Sequence, residues 1–135
     1  MKITAKAEYA CLAVIELARP GDGTPRRIRD IAEAQGIPER YLVQILLQLK
    51  SAGLVQSARG SVGGYQLVRP ADRISVADVI GAMDGSGDPP SRASSPAGHD
   101  LSEVLRRASA AEREVLASTS IAQLTNTDPP LDWVV

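Results

Sequence analysis

The chain has 135 residues, of which 44% are apolar and 3% aromatic, and a formal net charge of −1. This length fits one domain with an appendage, and a single cysteine excludes an intramolecular disulfide framework. No stretch approaches the roughly 18 apolar residues that a membrane span requires, so we expect a cytoplasmic protein without a membrane partner.

Charge is distributed unevenly along the chain. Residues 1–80 carry 11 Lys and Arg against 8 Asp and Glu, whereas residues 81–135 carry 4 against 8. A basic front and an acidic back are typical of a protein with one DNA-facing half. An ordinary solvated surface would explain the same counts, so charge alone does not decide.

The front of the chain predicts three helices. The first runs from about Thr4 to Ala18, a stretch without Gly or Pro whose apolar residues recur at helical spacing. A short second helix begins near Ile28 and stops at Gly36. The third spans residues 38–52 and carries one apolar stripe, formed by Leu42, Ile45, Leu46 and Leu49. Because only a turn separates the second and third helices, the sequence predicts a helix-turn-helix.

A β-hairpin is predicted after the third helix. The strand candidates Leu54–Ala58 and Tyr65–Arg69 flank a glycine-rich tip, residues 59–64, which permits the positive φ angles of a tight turn. A fourth helix follows, with Ser75 as its N-cap. We therefore predict a mainly α fold with a small β-hairpin, a winged helix-turn-helix domain over residues 1–84.

The back of the chain predicts a linker and one long helix. Residues 85–99 are rich in Gly, Pro and Ser, as flexible linkers are. A helix with a short terminal turn follows over residues 100–126, begun by a capping box at Asp100 and Glu103, and residues 127–135 form a tail. Apolar residues recur along this helix in steps of three and four, as in helices that pack along another helix; they are Leu101, Val104, Ala108, Ala111 and Val115.

We interpret residues 100–126 as a dimerisation helix. The apolar stripe is short and several of its side chains are small, so the helix would need help from the globular domain to pair. The alternative is an amphipathic helix that folds back on its own domain.

The third helix is the candidate DNA-reading element, whose outward side chains would meet base edges in the major groove. Arg40 can bind guanine through two hydrogen bonds, Gln44 can bind adenine, and Glu39 can accept from cytosine. Tyr41 lies near the start of the helix, and Lys50 is placed for a phosphate. The helix-turn-helix and the wing together favour DNA binding over a merely solvated helix face.

The glycine-rich tip is the second candidate contact. Arg59 can enter a narrow minor groove, where the potential is most negative, and backbone amides at the tip can donate to phosphates. An ordinary hairpin turn would also use glycines. The candidates on the wing and on the first two helices are Arg59, Ser61, Gly63, Gly64, Lys6 and Arg27, with Lys2, Arg26 and Arg29 as further phosphate contacts.

Motifs in the first 85 residues together resemble one family. They include Asp30-Ile31-Ala32, Gln35-Gly36-Ile37, Tyr41-Leu42, Arg59-Gly60, Gly63-Gly64-Tyr65 and Ile74-Ser75-Val76-Ala77-Asp78. This run resembles the bacterial IscR/NsrR/CymR family of winged helix-turn-helix regulators, the Rrf class. The resemblance implies a homodimeric transcription factor, often a repressor, that binds a partly palindromic operator in double-stranded DNA, with the third helix in the major groove and Arg59 in the minor groove.

The chain departs from this family in its cysteines. Many members bind an iron–sulfur cluster through three cysteines in the loop before the dimerisation helix, whereas this loop has none. A cluster needs about four ligands, usually thiolates, so we expect no cluster and no other cofactor. Cys11 is predicted to be a small core residue, and His99 a solvated side chain. Pro38 and Val43 also depart from the family pattern, so we expect a different operator preference.

Three kinds of function remain to be compared. The leading interpretation is a DNA-binding repressor, with its effector left open among a protein, a small molecule and oxidation of Cys11. The alternative is a protein-interaction or sensor module that keeps the winged-helix fold without binding DNA. We do not expect an enzyme, because the sequence has no paired carboxylates in a cleft motif, no Ser/His/Asp set, no metal-ligand spacing and no phosphate-binding loop.

Overall fold

Six helices and one antiparallel hairpin make up the part of the chain that the structure, a computed structural model, describes: residues 2–19, 25–58, 63–85 and 94–125. The elements in chain order are α1 (Ala5–Ala18), α2 (Ile28–Gln35), α3 (Glu39–Ser51), β1 (Val55–Ala58), β2 (Gly64–Leu67), a short 3-10 turn (Ala71–Arg73), α4 (Val76–Asp84), α5 (Pro96–Ala117) and α6 (Ile121–Thr125). The predicted fold class, mainly α with a β-hairpin wing, is confirmed. None of these helices is both long and apolar enough to cross a membrane.

The first helix, α1, lies at the centre of the fold. It packs against α2, α3, α4 and α6, and its Ala7, Ala10 and Ala13 are fully buried, which lets the neighbouring helices approach closely. Thr4 caps the helix, because its Oγ1 accepts from the Ala7 amide at 3.1 Å. The same hydroxyl donates to Oδ1 of Asp84 at 2.8 Å and so ties the start of α1 to the end of α4.

The helix-turn-helix forms because α2 ends at a left-handed glycine. Gly36 has φ of 66° and its amide bonds back to the Ala32 carbonyl, a conformation that glycine adopts without steric cost. Pro38 then occupies the N-cap position of α3. The stripe predicted for the third helix is buried as expected, and it consists of Leu42, Ile45, Leu46 and Leu49.

The hairpin follows α3 directly. Strands β1 and β2 are antiparallel, with Val55 opposite Leu67 at the base and Ala58 opposite Gly64 near the tip. The second strand ends two residues earlier than predicted, since the chain bends at Val68 and Arg69 before Pro70, which has no amide to donate to a strand partner. Residues 59–62 of the tip lie outside the described residues.

The helix predicted to begin at Asp100 starts four residues earlier, which corrects the linker bounds of 85–99. Ser95 caps α5 by accepting from the Gly98 amide at 3.0 Å, and Pro96 occupies the first turn. A serine cap followed by proline is a strong helix start. The predicted capping box is absent at this position: Asp100 is already helical, and Glu103 instead pairs with Arg106. The rest of the linker, 86–93, and the tail, 127–135, lie outside the described residues.

The chain returns to the core after α5. Ile121, the first residue of α6, is fully buried within the same apolar cluster as α1. Its amide donates to the Ile74 carbonyl at 2.8 Å, and the Val76 amide donates to Thr119 at 2.9 Å. The last helix is therefore part of the body of the fold.

Candidate nucleic-acid interface

One face of α3 is buried and the opposite face is open to solvent. Four side chains, at positions spaced along nearly the whole helix, project from the open face: Arg40, Val43, Gln44 and Leu47. Leu47 is 51% exposed and Val43 41% exposed, although both are large and apolar. The open face therefore combines hydrogen-bonding groups with an apolar ridge, as a surface that reads base edges and thymine methyl groups requires.

The start of α3 carries a stacked pair. The Arg40 guanidinium carbon lies 5.0 Å from the centre of the Tyr41 ring, and Arg40 Nη2 lies 3.5 Å from the tyrosine hydroxyl. Stacking of this kind restricts the arginine to few rotamers. Glu39 is exposed in the same first turn, so the three predicted residues Glu39, Arg40 and Tyr41 form one exposed cluster.

The other end of α3 is joined to the wing. Lys50 Nζ donates to Ser57 Oγ on β1 at 3.0 Å. Lys50 also lies in the last helical turn, where a cation complements the helix dipole. The ammonium group of Lys50 is thus held at the junction of α3 and the hairpin. The side chain is exposed to solvent there, as a contact with a phosphate requires.

Near its tip, the wing is paired with a single residue of the segment before α2. Arg26 pairs with Tyr65 through two backbone hydrogen bonds, of 2.9 Å and 2.8 Å. The neighbouring Gly64 has φ of 133°, and a Cβ built there would lie 2.7 Å from the Arg26 carbonyl oxygen. Gly64 was predicted as a DNA contact, and the structure gives it a packing role as well. Gly63 has φ of 60°.

The remaining DNA-contact candidates are divided between other elements and the tip. Lys6 is exposed on α1, and Arg27 is exposed at the N-cap of α2. Arg59 and Ser61 lie outside the described residues, so their contacts stay predictions. Arg26 was a further phosphate candidate; here its guanidinium instead donates to the buried Glu16, with Nη2 and Oε1 2.7 Å apart.

Sequence reasoning missed two side chains, Leu47 and Glu16. Leu47 belongs neither to the buried stripe of α3 nor to its polar set, and the helical spacing of the outward residues could have found it. Glu16 lies opposite the apolar stripe predicted for the first helix, yet it is 1% exposed. The signal for its burial was that α1 is apolar on nearly every side, as buried central helices are.

A second exposed surface runs along α5, which has no buried residue. The five stripe residues Leu101, Val104, Ala108, Ala111 and Val115 are all exposed, and so is Leu105, which the prediction omitted. The face that α5 turns to its own body is an adjacent one, where Ser102, Ser109, Glu112 and Leu116 are half-buried. The predicted dimerisation stripe is therefore left uncovered by the part of the chain that the structure describes.

Neither Cys11 nor His99 sits in a metal-binding arrangement. Burial, and secondarily the carboxylate of Glu8, raise the pKa of the Cys11 thiol to about 11, and the half-buried side chain packs against the core. His99 is exposed in the first turns of α5, not in the linker. Within the described ranges, no group of three or more His, Cys, Asp and Glu side chains is arranged to hold a metal ion.

These features define a winged-helix DNA-binding protein of the transcription-regulator class: a helix-turn-helix, an open face on its second helix, and a hairpin wing joined to that helix. The profile described as "Rrf2: Iron-dependent Transcriptional regulator" matches residues 3–127. The chain therefore belongs to the Rrf2 family, whose members are transcription regulators and not enzymes, and the resemblance found in the sequence is confirmed.

Individual relatives agree with the family. An HTH-type transcriptional regulator of Mycobacterium tuberculosis is 41% identical, over 92% of this chain and 81% of that protein. The regulator IscR of Xenorhabdus nematophila is 46% identical, over 65% of this chain and 54% of that protein. Among solved structures, CymR, the global cysteine regulator of B. subtilis, is 34% identical with a TM-score of 0.81, covering 93% of this chain and 96% of that one. IscR of T. potens is 30% identical with a TM-score of 0.78, covering 98% and 96%.

Proposed function

We propose that this protein is a homodimeric repressor that reads a partly palindromic operator, with α3 in the major groove and the wing, residues 59–64, in the minor groove. The observation that carries the proposal is the open face of α3, which exposes Arg40, Gln44 and Leu47 opposite a fully buried stripe. A helix held in this way can enter a groove without losing its packing on the core.

The base-reading roles follow from side-chain chemistry. Arg40 donates two hydrogen bonds to guanine, Gln44 pairs with adenine, and Glu39 accepts from the cytosine amino group. Val43 and Leu47 contact thymine methyl groups. We assign phosphate and groove contacts, which fix orientation more than sequence, to Lys6, Arg27, Tyr41, Lys50, Arg59, Ser61, Gly63 and Gly64.

Dimerisation is supported by the uncovered face of α5. Two copies that bury Leu101, Val104 and Val115 against each other would remove three of the four large exposed apolar side chains of that helix from water. A two-fold dimer places two α3 helices on one side of the DNA. Two half-sites one helical turn apart, about 34 Å, are then the expected operator.

A cofactor-free regulator is supported by the donor chemistry of the chain. The family description names iron, but an iron–sulfur cluster is bound mainly by thiolates and this sequence has one cysteine. The pKa of that thiol is raised to about 11, so it is protonated at neutral pH. These residues do not fit a cluster, and we propose that the signal comes from a protein partner or a small molecule.

Selection of bound fragments from a random pool of duplex DNA tests the function. We expect an enriched sequence with two-fold symmetry, bound with an affinity that falls steeply as salt increases, because phosphate contacts release counterions. The matched control is the same selection with Arg40→Ala, which should lose the preference at one position of each half-site. The interaction-module alternative predicts no enrichment and no salt-dependent binding of the wild-type protein.

A further inference from the structure

Glu16 is the only charged side chain that is buried among the described residues. A buried carboxylate is strongly unfavourable unless its oxygens are paired. Here Oε1 accepts from Arg26 Nη2 at 2.7 Å, and Oε2 accepts from Gln35 Nε2 at 2.7 Å. Arg19 Nη1 lies 3.7 Å from Oε2 at the protein surface. The carboxylate therefore joins α1 to the end of α2 and to the segment before α2.

Arg26 connects this carboxylate to the wing. Its side chain is held by Glu16, while its own backbone amide and carbonyl pair with Tyr65 on β2. Gly64 permits the close approach of the Arg26 carbonyl because it has no side chain, whereas a Cβ at this position would collide with the carbonyl oxygen. The wing cannot move away from Arg26 without breaking both backbone hydrogen bonds.

The wing needs such support because it is small. It contains two strands of four residues each, and an isolated two-stranded hairpin is only marginally stable in water. At the same time, Gln35 is the last residue of α2 and directly precedes the turn into α3. One carboxylate thus contacts the two places that set the positions of the wing and of the reading helix.

We propose that Glu16 is a positioning residue for the DNA-binding wing, acting through Arg26 on Tyr65 and Gly64. This inference rests on the proposed function, since it concerns how the wing is presented to the operator. Glu16 itself is 1% exposed and is therefore not placed to contact DNA. Its role is to fix the distance and orientation between the hairpin and α3, so that both enter their grooves together.

The variant Glu16→Gln tests the proposal because it keeps the shape of the side chain and removes the charge that holds the guanidinium. We expect operator affinity to fall roughly tenfold, within the range of coupled polar networks. In the Glu16→Gln background, Arg59→Ala should lower operator affinity little further, since the wing is already misplaced. Arg40→Ala should lower operator affinity by the same factor as it does in the wild-type protein. The matched control is Glu8→Gln, an exposed glutamate on the same helix, which should leave affinity unchanged.

Hydrogen exchange of backbone amides gives a second readout that needs no DNA. In Glu16→Gln the amides of Arg26 and Tyr65 should exchange faster, while those of Val79 and Ile80 in α4 stay protected. If exchange accelerates equally in α4, or if Glu16→Gln and Arg59→Ala lower affinity independently, the positioning role is wrong.

Should Glu16→Gln not fold, Arg26→Gln breaks the same ion pair from its half-exposed side and replaces Glu16→Gln in both measurements. Failure of the wild-type protein to bind the selected DNA would instead overturn the proposed function, and exchange would still test whether Glu16 holds the wing.

Discussion

The body of the fold buries its apolar residues, whereas α5 exposes most of its own. In the body, α3 buries its whole apolar stripe against α1 and α4, and Ile121 returns from the far end of the chain to complete the core. In α5, 22 residues bury no side chain, and four large apolar residues are 57 to 64% exposed: Leu101, Val104, Leu105 and Val115. The body is thus packed by its own elements, whereas the described residues provide no surface that covers the apolar stripe of α5.

The open face of α3 is also partly apolar, and its contrast with α5 supports a different proposed partner for each surface. On α3, Leu47 and Val43 lie beside Arg40 and Gln44, which can form hydrogen bonds with bases. On α5, the apolar residues form an uninterrupted stripe at the spacing of a helix–helix seam. We therefore propose the major groove as the partner of the first surface and another copy of α5 as the partner of the second.

The largest effect is expected from the double variant Leu101→Asp with Val104→Asp, which places two carboxylates in the proposed seam. We expect a monomer of 14.3 kDa in analytical ultracentrifugation, where the wild-type protein sediments as a dimer. Operator affinity should fall by roughly a hundredfold or more, because one half-site loses the advantage of being linked to the other.

The control for this pair is Ala110→Asp, which adds the same carboxylate to an exposed position on the polar side of α5. It should leave both the dimer and the affinity intact. A double variant that still sediments as a dimer would contradict the proposal that α5 forms the dimer interface. The exposed stripe of α5 would then have no role in dimerisation.

An effect of similar size is expected in the core from Ile121→Ala. Truncation of a fully buried isoleucine leaves a cavity and costs about 3 kcal/mol of the free energy of unfolding, measured by urea denaturation. The loss should be the same at low and high protein concentration. Val115→Ala is the matched variant on α5, and its effect should depend on concentration, because Val115 is exposed in the single chain and would be buried only in the proposed dimer. An effect of Ile121→Ala below about 1 kcal/mol would contradict its place in the core. Deletion of residues 100–126 would be a poor test of dimerisation, since it removes the buried Ile121 as well.

A smaller effect is expected on the reading face. Leu47→Ala should leave the dimer and the fold unchanged and lower operator affinity roughly three- to tenfold, since each buried methylene contributes about 0.8 kcal/mol. Replacing thymine by uracil in the operator should weaken wild-type binding and have less effect on the variant. Equal sensitivity of both proteins to uracil would exclude a contact between Leu47 and a thymine methyl group.

Much of the body could be predicted from the sequence because local signals there agree with the packing. The buried stripe of α3, the glycine stop at Gly36 and the N-cap Ser75 are all observed. Each of these depends on residues within one turn of the feature that they determine. The same holds for the exposure of Glu39, Arg40, Gln44 and Lys50, which follows from which face of the helix is apolar.

The features that were missed depend on distant contacts or on competing local signals. Glu16 can be buried because Arg26 and Gln35 donate hydrogen bonds to it from other segments. No residue pattern within α1 predicts those two partners. The start of α5 was placed at Asp100 because an acidic cap there competes with Ser95 and Pro96, and serine with proline forms the cap that is observed. The role of Gly64 in admitting the Arg26 carbonyl required the pairing of two segments far apart in sequence.

The smallest effect on DNA binding is expected from Cys11, the one candidate for redox control in this sequence. Burial raises its pKa from 9.0 to about 11, and the thiolate is the reactive form. At pH 9 about one Cys11 in a hundred is therefore ionised, compared with half of an ordinary thiol population. Alkylation by iodoacetamide should be slow in the native protein, and its rate should rise about tenfold per pH unit up to about pH 11.

Cys11→Ser should change operator affinity less than twofold, because the side chain packs against the core and lies on neither exposed surface. Rapid alkylation at pH 7.5, or loss of oxidant-dependent binding in Cys11→Ser, would show instead that the body contains a responsive site and is not only a rigid support for α3.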